Sequence, residues 1–538
     1  MKTSLKVAVA GALALAGANA LATSPADIQA AAANGTLVTL YVSGATATDN
    51  ALENLFKLDD ANFRVCVPDT LDIYYYRSTS SGSPSQRALT CTAAFTGTGI
   101  VSGTTKIALL KESTGGSANG IVQPANLPGT PQLQFIDLSA ATFPTACATI
   151  TTSTGTTLPT GANHFNTRDC GATASSASTV VRTARTSQAG ISDVDPTTFV
   201  GTGGVTAAHD AALTRKRTSV AVTFNPIVSV PLFTVLQRTY GTIADTATEA
   251  TATLDQIPSL PSSVLRAIFN GTSVLNANEI NLNGQNLADH IGNTGYDSSG
   301  DIYLCRRGDT SGTMTSFKLH FLNQGCSKTP SNTVLFVAPD SAGCATSGCT
   351  WNATTYGNDY VFAGAGSGDV RQCIDYHTSQ GRLAIGVAST EAKPGTSSNR
   401  FRYIKVDGAE PTLKATIEGR YSFFTENTFN DRFPSTSASG SQTLWDKLYA
   451  SIGNPTAISE LNRSWRTSAA LTMTGDVGDA DTGILDTASP ANATAINNMF
   501  LNHVIEGGEV RTTPINSQTR QTLSGQANNC NPPYQAYP

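Results

Sequence analysis

The chain has 538 residues, of which 40% are hydrophobic and only 14% are charged, and its formal net charge is −5 at pH 7. This length allows two or more globular units, and the spaced apolar runs argue against a disordered chain. The negative charge argues against nucleic-acid binding, which needs a basic face, and against docking on anionic lipid by charge alone. The composition therefore indicates a folded protein with many neutral polar residues.

The first twenty residues have the pattern of a secretory signal peptide. Lys2 and Lys6 precede an apolar stretch over residues 7–17, and residues 18–20 form a small-x-small cleavage site. The apolar stretch is too short to span a bilayer, and no later stretch approaches the ~20 apolar residues that a spanning helix needs. We expect cleavage after Ala20, no lipid anchor, no membrane insertion, and a periplasmic or secreted protein.

Short β-branched runs that end in glycine or turn residues recur along the chain and indicate strands. The predicted strands cover residues 36–44, 106–110, 219–233, 301–307 and 383–389. Apolar residues at helical spacing follow three of the turns, at Leu52, Leu55 and Phe56, at Ile121 and Val122, and at Met314, Phe317 and Phe321. Because strand, small-residue turn and helix alternate, the sequence predicts an α/β fold with largely parallel sheets.

Stretches rich in serine, threonine and glycine separate these units. They cover residues 78–105, 125–188, 325–360 and 432–442. Because they show no core of their own, we predict surface loops that disulfides hold in place.

The ten cysteines support disulfide bonding, because an even number in an exported chain favours pairing. Proximity in the sequence predicts the pairs 66–91, 147–170 and 344–349. The remaining cysteines permit three connectivities among Cys305, Cys326, Cys373 and Cys530. Cys344 and Cys349 are the only close pair and have no histidine nearby, so we predict no metal site.

Three strand-to-helix turns share a chemistry that suits anions. They read SGATAT at 43–48, ESTGGSANG at 112–120 and GDTSGT at 308–313. The first turn of a helix offers free N–H groups, glycine lets a ligand approach the backbone, and hydroxyls add neutral donors. Together the turns predict an anion site that needs little net positive charge. Each turn taken alone is better explained as an ordinary helix cap than as a ligand site.

Three charged residues strengthen the hypothesis of an anion site. Arg307 offers a planar fork for an oxyanion, and we expect Asp309 to orient it; the alternative is an exposed ion pair of little energetic weight. Asp193, within residues 189–195, is either a surface turn residue or the one acceptor among donors. Phosphate keeps a proton near neutral pH and sulfate does not, so a buried carboxylate accepts from phosphate and repels sulfate.

The order of these motifs resembles that of the periplasmic phosphate-binding proteins of bacterial phosphate ABC transporters, which have a two-lobed type II fold with mixed sheets. The matching segments are Gly-Ala-Thr at 44–46, Ser-Thr-Gly-Gly at 113–116, Gly-Ile-Ser-Asp at 190–193, LRAIFNG at 265–271, the Arg-x-Asp-x-Ser-Gly-Thr pattern at 307–313 and GRLAIGVAS at 381–389. The likeness covers residues 38–389 and fades after residue 390. Ala47 stands where the family has an aromatic residue, and insertions at 57–105 and 125–188 make this chain an enlarged variant.

The resemblance implies a set of phosphate-binding residues with Asp309 in support. They are Thr46, Ala47, Ser113, Asp193, Arg307, Ser311, Gly312 and Thr313. It also implies one lobe from residues 36–225 and 388–538 and a second lobe from 226–387, which close on the ligand by a hinge. Inorganic phosphate would be the ligand of a monomer that is not an enzyme and needs no cofactor, with an ABC permease as its partner.

Two other functions fit parts of the sequence. An exported phosphatase or other hydrolase is disfavoured, because no G-x-S-x-G occurs, GAGSGD at 364–369 is out of register, and the six histidines form no close pair. A secreted structural or adhesive protein on the same fold suits the insertions and the hydroxyl-rich surface. An acidic group at Asp476, Asp479, Asp481 and Asp486 fits a calcium loop only in part.

Overall fold

The structure is a computed structural model of the chain. It describes residues 24–77, 84–148, 150–153, 165–170, 182–249, 254–271, 276–292, 295–324, 334–390, 392, 394, 400–411, 415–416, 418–434, 438–453, 457, 500–502, 518–519 and 534–535. The predicted signal peptide, Cys326, Cys530 and the four-aspartate group after residue 475 lie outside these residues.

Helices are distributed along most of the described chain, and three of them follow the predicted small-residue turns. They are α1 Pro25–Ala33, α2 Asp49–Lys57, α3 Gly116–Ala125, α4 Phe143–Ala146, α5 Pro196–Phe199, α6 Ala207–Ala212, α7 Val230–Thr239, α8 Ser262–Asn270, α9 Gly312–Phe321, α10 Ala353–Tyr356, α11 Ser367–Ser379 and α12 Gly440–Ile452. Short 3-10 turns lie at Thr46–Thr48, Leu254–Gln256, Ala277–Glu279, Leu287–His290 and Ala342–Cys344. The three helices expected after the small-residue turns are therefore present as α2, α3 and α9.

The described strands include all five that the sequence predicts. They are β1 Val38–Gly44, β2 Leu71–Tyr76, β3 Gln86–Thr92, β4 Lys106–Glu112, β5 Leu133–Ile136, β6 Ile150–Ser153, β7 Phe165–Asp169, β8 Arg182–Arg185, β9 Ala189–Ser192, β10 Arg215–Ser229, β11 Ser259–Leu260, β12 Asn281–Leu282, β13 Gln285–Asn286, β14 Ile302–Arg307, β15 Val361–Gly364, β16 Leu383–Ser389, β17 Phe401–Tyr403, β18 Lys405–Val406, β19 Phe424–Asp431, β20 Phe500–Asn502, β21 Gln518–Thr519 and β22 Tyr534–Gln535.

A large mixed sheet joins most of these strands and confirms the predicted α/β class. Its order is β15-β14-β16-β10-β19-β9-β1-β4-β3-β2-β7-β6, with β17 and β20 also paired to β10. Strands β14, β15 and β16 are parallel to one another, as are β9, β1 and β4. Each parallel set carries its carboxyl ends toward the small-residue turns, which places those turns where ligands bind in open α/β sheets.

Strand β10 changes partner halfway along its length. Residues 215–223 pair with β19, and residues 224–228 pair with β16. One long strand thus connects the two parallel sets. The lobe boundary predicted at residues 225/226 lies inside this strand.

Three sequence predictions about secondary structure were wrong. The stretch 125–188 was expected to be a surface loop, but it contains β5, β6, β7 and β8, and Phe135 and Ile136 on β5 are buried. The stretch 78–105 was expected to be a surface loop, but residues 86–92 form β3, which lies between β2 and β4 and is almost entirely buried. Ala88, Leu89, Thr90 and Cys91 are all buried, because small, apolar and β-branched side chains fit a strand that is covered on both faces. The strand predicted over 219–233 ends at Ser229, whose hydroxyl caps α7, and Pro231 then fits the first turn of that helix.

The disulfides confirm the proximity argument. Cys66–Cys91, Cys147–Cys170 and Cys344–Cys349 are bonded as predicted. Cys305 bonds Cys373, which joins β14 to α11 across 68 residues. That bond selects one of the pairings the sequence left open.

Close backbone packing fixes α3 against the parallel set β9-β1-β4. A Cβ atom on Gly120 would lie 2.2 Å from the carbonyl oxygen of Ile191, and one on Gly44 would lie 2.0 Å from the same atom. Only glycine permits this approach, and Gly44 also has a positive φ of 114°. The helix therefore presents its amino end beside the turn that follows β1.

Candidate functional site

The turns before α3 and α9 meet directly. The Ala118 amide donates to the Thr310 carbonyl at 3.1 Å, and Ala118 lies in the first turn of α3. A Cβ on Gly116 would lie 3.4 Å from both Arg307 Nη2 and the Ser311 Cα. Two predicted anion-binding turns, more than 190 residues apart in sequence, thus form one contact surface.

Asp193 lies in this contact surface, as the sequence predicted. Its carboxylate accepts hydrogen bonds from Thr313 Oγ1 at 3.4 Å and from Asn427 Nδ2 at 3.2 Å. Its amide donates to Ser117 Oγ at 3.0 Å. A Cβ on Gly312 would lie 2.9 Å from Asp193 Oδ2, so only glycine lets α9 begin so close to the carboxylate.

Burial makes the carboxyl group of Asp193 a weaker acid than an exposed aspartate. Only 3% of the residue is exposed. Desolvation raises the pKa of its carboxyl to about 6, although the positive charge of Arg307 and the Ser117 hydrogen bond act in the opposite direction. At pH 7 and above the carboxylate is ionised and acts as an acceptor among donors.

Arg307 is buried and holds its guanidinium with neutral oxygens. Nε donates to the Gly364 carbonyl at 3.2 Å and Nη2 to the Ala365 carbonyl at 2.7 Å. Nη1 donates to Thr46 Oγ1 and Ser367 Oγ, both at 3.2 Å. Among the described residues it forms no ion pair within 4 Å, so its charge is not neutralised by direct contact. Burial lowers the pKa of Arg307, and the more distant Asp369, Asp193 and Asp49 counteract that effect.

Asp309 does not have the predicted role. Its carboxylate lies 3.5 Å from Nη1 of Arg306, the neighbouring arginine. Alternate residues of β14 point to opposite faces of the sheet, so Arg306 and Arg307 have different surroundings. Arg307 is oriented by the Gly364 carbonyl, at the end of β15, and by the Ala365 carbonyl that follows it. Asp309 does not contribute to this orientation.

The first turn of α9 supplies further donors. Ser311 Oγ accepts from the Met314 amide at 3.4 Å, which leaves its own O–H free to donate. The amides of Gly312 and Thr313 have no intrahelical acceptor, because they belong to the first helical turn. Ser311, Gly312 and Thr313 are all buried beside Asp193. The predicted donors from this turn are thus brought together.

The turn after β1 reaches the same place. Thr46 Oγ1 receives the hydrogen bond from Arg307 and lies 3.1 Å from Ser367 Oγ. Ala47 is buried in the 3-10 turn Thr46–Thr48. We call Thr46, Ala47, Asp193, Arg307, Ser311, Gly312 and Thr313 the candidate oxyanion site.

Ser113 lies at the edge of this site with a different partner from the one expected. Its hydroxyl donates to the carboxylate of Asp49, with both oxygens at 2.8 Å, and it accepts from Lys111 Nζ at 3.1 Å. Its single proton is therefore directed to Asp49. In this structure Ser113 supports the turn instead of facing Arg307.

A group of buried charges beside Ser113 was missed by the sequence reasoning. We call Asp49, Glu53, Lys57, Arg87 and Lys111 the ion-pair cluster. Arg87 pairs with Asp49, Lys111 Nζ lies 3.3 Å from Asp49 Oδ1, and Lys57 Nζ lies 2.7 Å from Glu53 Oε1. Lys111 Nζ also donates to the Gly44 and Ala45 carbonyls at 3.0 and 3.2 Å, which fixes the turn after β1. The sequence feature that could have indicated this cluster is the lysine that follows the apolar residues of β4.

The segment GAGSGD at 364–369 was also missed. It provides the Gly364 and Ala365 carbonyls and the Ser367 hydroxyl that hold Arg307. Asp369 caps α11 by accepting from the Gly366 amide at 2.7 Å. The segment has the same strand, small-residue turn and helix pattern as the three predicted turns, and that pattern could have identified it.

A cleft of about 560 Å³ lies beside Thr46 and Ser113. Its lining residues are Thr46, Asp49, Asn50, Tyr76, 84–87, 112–114, 132–134, Arg182, Thr350, 365–369 and Arg371. The other members of the candidate oxyanion site lie behind this wall and do not line the cleft.

Within the described part of the chain, one group has the spacing of metal ligands. It consists of Cys305, Cys373 and His377, and its two cysteines are bonded to each other. The group in its disulfide form does not present thiolates to a metal. Among the helices described, none is both long and apolar enough to cross a bilayer.

No protein-family model matches the chain, and no curated protein matches it. Solved structures do resemble it at low identity. A Clostridium perfringens protein, solved with bound phosphate and assigned as a phosphate ABC transporter substrate-binding protein, is 11% identical with a TM-score of 0.35, covering 76% of this chain and 92% of that one. PstS from Borrelia burgdorferi is 12% identical with a TM-score of 0.30, covering 79% and 97%. An ABC-type phosphate transport receptor from Vibrio cholerae is 12% identical with a TM-score of 0.29, covering 52% and 79%.

Proposed function

We propose that this chain binds inorganic phosphate at the candidate oxyanion site and acts as a binding protein, not an enzyme. The observation that carries the proposal is the convergence of Arg307, the first turn of α9 and Asp193 in one buried place. A guanidinium held only by neutral oxygens keeps its charge available for an anion. An incoming oxyanion would displace hydroxyl partners such as Thr46 and Ser367 and would leave no carboxylate unpaired.

Asp193 supplies the selectivity in this proposal. Ionised Asp193 would accept the proton that phosphate carries near neutral pH, and that hydrogen bond joins two charged groups in a dry environment. Sulfate carries no such proton, so its oxygens would be repelled by the buried, ionised carboxylate. The same residues would therefore bind one tetrahedral dianion and reject another.

The wider role follows from the predicted export and from the arrangement of β10. We infer lobes of residues 36–225 with 388–538 and of 226–387, which close over phosphate as β10 and its partners flex. Such a monomer would work in the periplasm or outside the cell and deliver phosphate to an ABC permease.

Isothermal titration of the exported chain with phosphate, sulfate and arsenate at pH 8 tests the proposal. We expect one phosphate site per chain, arsenate binding of similar strength, and sulfate binding at least about 100-fold weaker, which corresponds to roughly 2.7 kcal/mol. A titration with phosphate that shows no heat of binding would contradict the proposal and favour the structural or adhesive alternative. Turnover of p-nitrophenyl phosphate with added divalent metal would contradict the assignment as a non-enzyme.

A further inference from the structure

The cleft beside the candidate oxyanion site is far larger than phosphate requires. Its volume of about 560 Å³ lies within the range of roughly 300–1,000 Å³ that small organic ligands occupy. Thr46 belongs to both the cleft and the oxyanion site, and Ser367 contacts Arg307 from the cleft wall. A ligand whose anionic group displaces the Thr46 and Ser367 hydroxyls from Arg307 would therefore have space next to it for a second chemical group.

The insertions of this chain build one side of the cleft. Tyr76, residues 84–87, residues 132–134 and Arg182 all line it, and all lie within 57–105 or 125–188. These segments lengthen the chain beyond the family that it resembles. The extra sequence thus creates a feature that a site for inorganic phosphate alone does not need.

Three buried polar atoms of cleft-lining residues have no hydrogen-bond partner within the described residues. One of them, Arg87 Nε, lies 3.6 Å from Glu53 Oε2 in an ion pair, and the other two belong to Gln86 and Arg371. Gln86 is 3% exposed, and its Oε1 is an acceptor without a donor. Arg371 Nε is a donor without an acceptor. Leaving such atoms unsatisfied costs about 1–3 kcal/mol each, so a ligand that pairs with both is favoured. Hydroxyl groups do so, because each one donates and accepts.

The charges of the cleft argue against a second phosphate or another strongly anionic group. Asp49 and Arg87 neutralise each other by contact. Arg182 and Arg371 form no ion pair among the described residues, yet Asp369 and Glu112 line the same space. Burial raises the pKa of Glu112 to about 7, so this carboxyl is partly protonated and can also donate. The balance suits an uncharged polar group.

We propose that the cleft receives the sugar portion of a sugar phosphate whose phosphoryl group occupies the candidate oxyanion site. The inference rests on the proposed phosphate site. Side-chain amides at Gln86, Gln132 and Gln134 would bind the hydroxyls of the sugar, as would the guanidinium of Arg371. The chain would then capture phosphomonoesters of polyhydroxylated alcohols in addition to inorganic phosphate.

Titrations of the full exported chain with glucose 6-phosphate, inorganic phosphate and glucose test the inference. We expect glucose 6-phosphate to compete with phosphate and to bind at least as tightly, while glucose alone binds weakly. Arg371→Ala, at a partly exposed residue, and Gln86→Met should each weaken glucose 6-phosphate at least fivefold and change phosphate affinity less than twofold. Arg185→Ala is the matched control, because Arg185 is exposed on β8 near Arg182 and does not line the cleft.

The outcomes separate this inference from the proposed function. Phosphate binding without competition by glucose 6-phosphate would overturn the inference and leave the phosphate site intact. Equal effects of Arg371→Ala and Arg185→Ala on glucose 6-phosphate would also overturn it. If neither compound binds, or if glucose binds as well as its phosphate while inorganic phosphate does not, the proposed phosphate site itself is wrong.

Discussion

The candidate oxyanion site and the ion-pair cluster are adjacent groups of buried charges, but they differ in how those charges are neutralised. In the ion-pair cluster, Arg87 contacts Asp49, and Lys57 contacts Glu53. In the oxyanion site, Arg307 has only neutral oxygens as direct partners among the described residues. Both groups are almost fully buried, so burial alone does not distinguish them.

The difference teaches which buried charge is available to a ligand. Carboxylates touch both Lys111 and Arg87 in the ion-pair cluster. Burial lowers the pKa of Arg87, but Asp49 and Glu53 more than offset that effect, so its pKa is raised. Burial lowers the pKa of Arg307, as it also does for Lys111, so the two groups differ in direct carboxylate contact, which Lys111 has and Arg307 lacks among the described residues. We infer that the ion-pair cluster stabilises the turns, whereas the candidate oxyanion site is available to bind an anion.

The largest expected effect is on ligand binding at Arg307. Arg307→Ala should reduce phosphate affinity at least about 1,000-fold, which corresponds to roughly 4 kcal/mol. The free energy of unfolding without ligand should fall by roughly 1–3 kcal/mol, because the Gly364 and Ala365 carbonyls each lose a donor, although no contacting carboxylate loses its partner. Calorimetric titration and urea unfolding of the same variant measure both quantities. A variant that binds phosphate normally would contradict the distinction between the two groups.

Arg87 should show the opposite pattern. Arg87→Ala leaves Asp49 and Glu53 with one cation fewer in a buried place, and we expect the free energy of unfolding to fall by about 3 kcal/mol. Phosphate affinity should remain within threefold. Arg64→Ala is the control, since its pair with Asp59 is about one-third exposed and should contribute roughly 0–1 kcal/mol.

The pH dependence of stability should reveal Asp193. Its pKa is raised from 3.8 to about 6 in the fold, so the folded state holds more protons than the unfolded state between these values. Wild-type stability, relative to Asp193→Asn, should therefore fall as pH rises from about 4 to 6 and then level off, by at most about 3 kcal/mol. Urea unfolding of both proteins in phosphate-free buffer measures the difference. A difference that increases with pH would contradict the raised pKa.

Asp193→Asn should also loosen discrimination between anions. An amide donates to sulfate where the carboxylate repels it, so the preference for phosphate at pH 8 should fall by about 30-fold, or roughly 2 kcal/mol. Competition titrations with the two anions give the ratio directly. Asn427→Ala removes a donor to the same carboxylate and should change the ratio less.

The smallest effect is expected at Asp309. Its carboxylate pairs with Arg306 and is about one-third exposed, so Asp309→Asn should leave phosphate affinity within twofold. A large loss in a titration would show that Asp309 orients Arg307 after all, as the sequence had predicted.

Local patterns allowed much of the fold to be predicted. The five strands and the helices α2, α3 and α9 follow from β-branched runs and helical spacing, and three disulfides follow from proximity. The bond between Cys305 and Cys373 spans 68 residues and depends on where α11 packs, which no local pattern specifies. Strand β3 was missed because its threonines resemble a loop in composition.

The hydrogen-bond donors of the candidate site could be predicted from the sequence, but the residues that hold those donors in position could not. Arg307, Thr313 and Asp193 were predicted from motifs whose chemistry is local, and the structure brings them near one another. Ser113 and Asp309 have direct partners other than those the sequence predicted, because a hydroxyl or a carboxylate has several neighbours and only the packing selects one. Asp49 and Lys111 were missed because a buried charge has no signature until its partner is known.

The most direct test of the central claim is the position of a bound oxyanion. Crystals of the exported chain grown with arsenate allow the arsenic atom to be located by its anomalous scattering. We predict a single strong peak within about 4 Å of the Arg307 guanidinium nitrogens and of Thr313 Oγ1, on the side of Asp193. A peak elsewhere, or none at saturating arsenate, would contradict the claim that these distant turns form one oxyanion site.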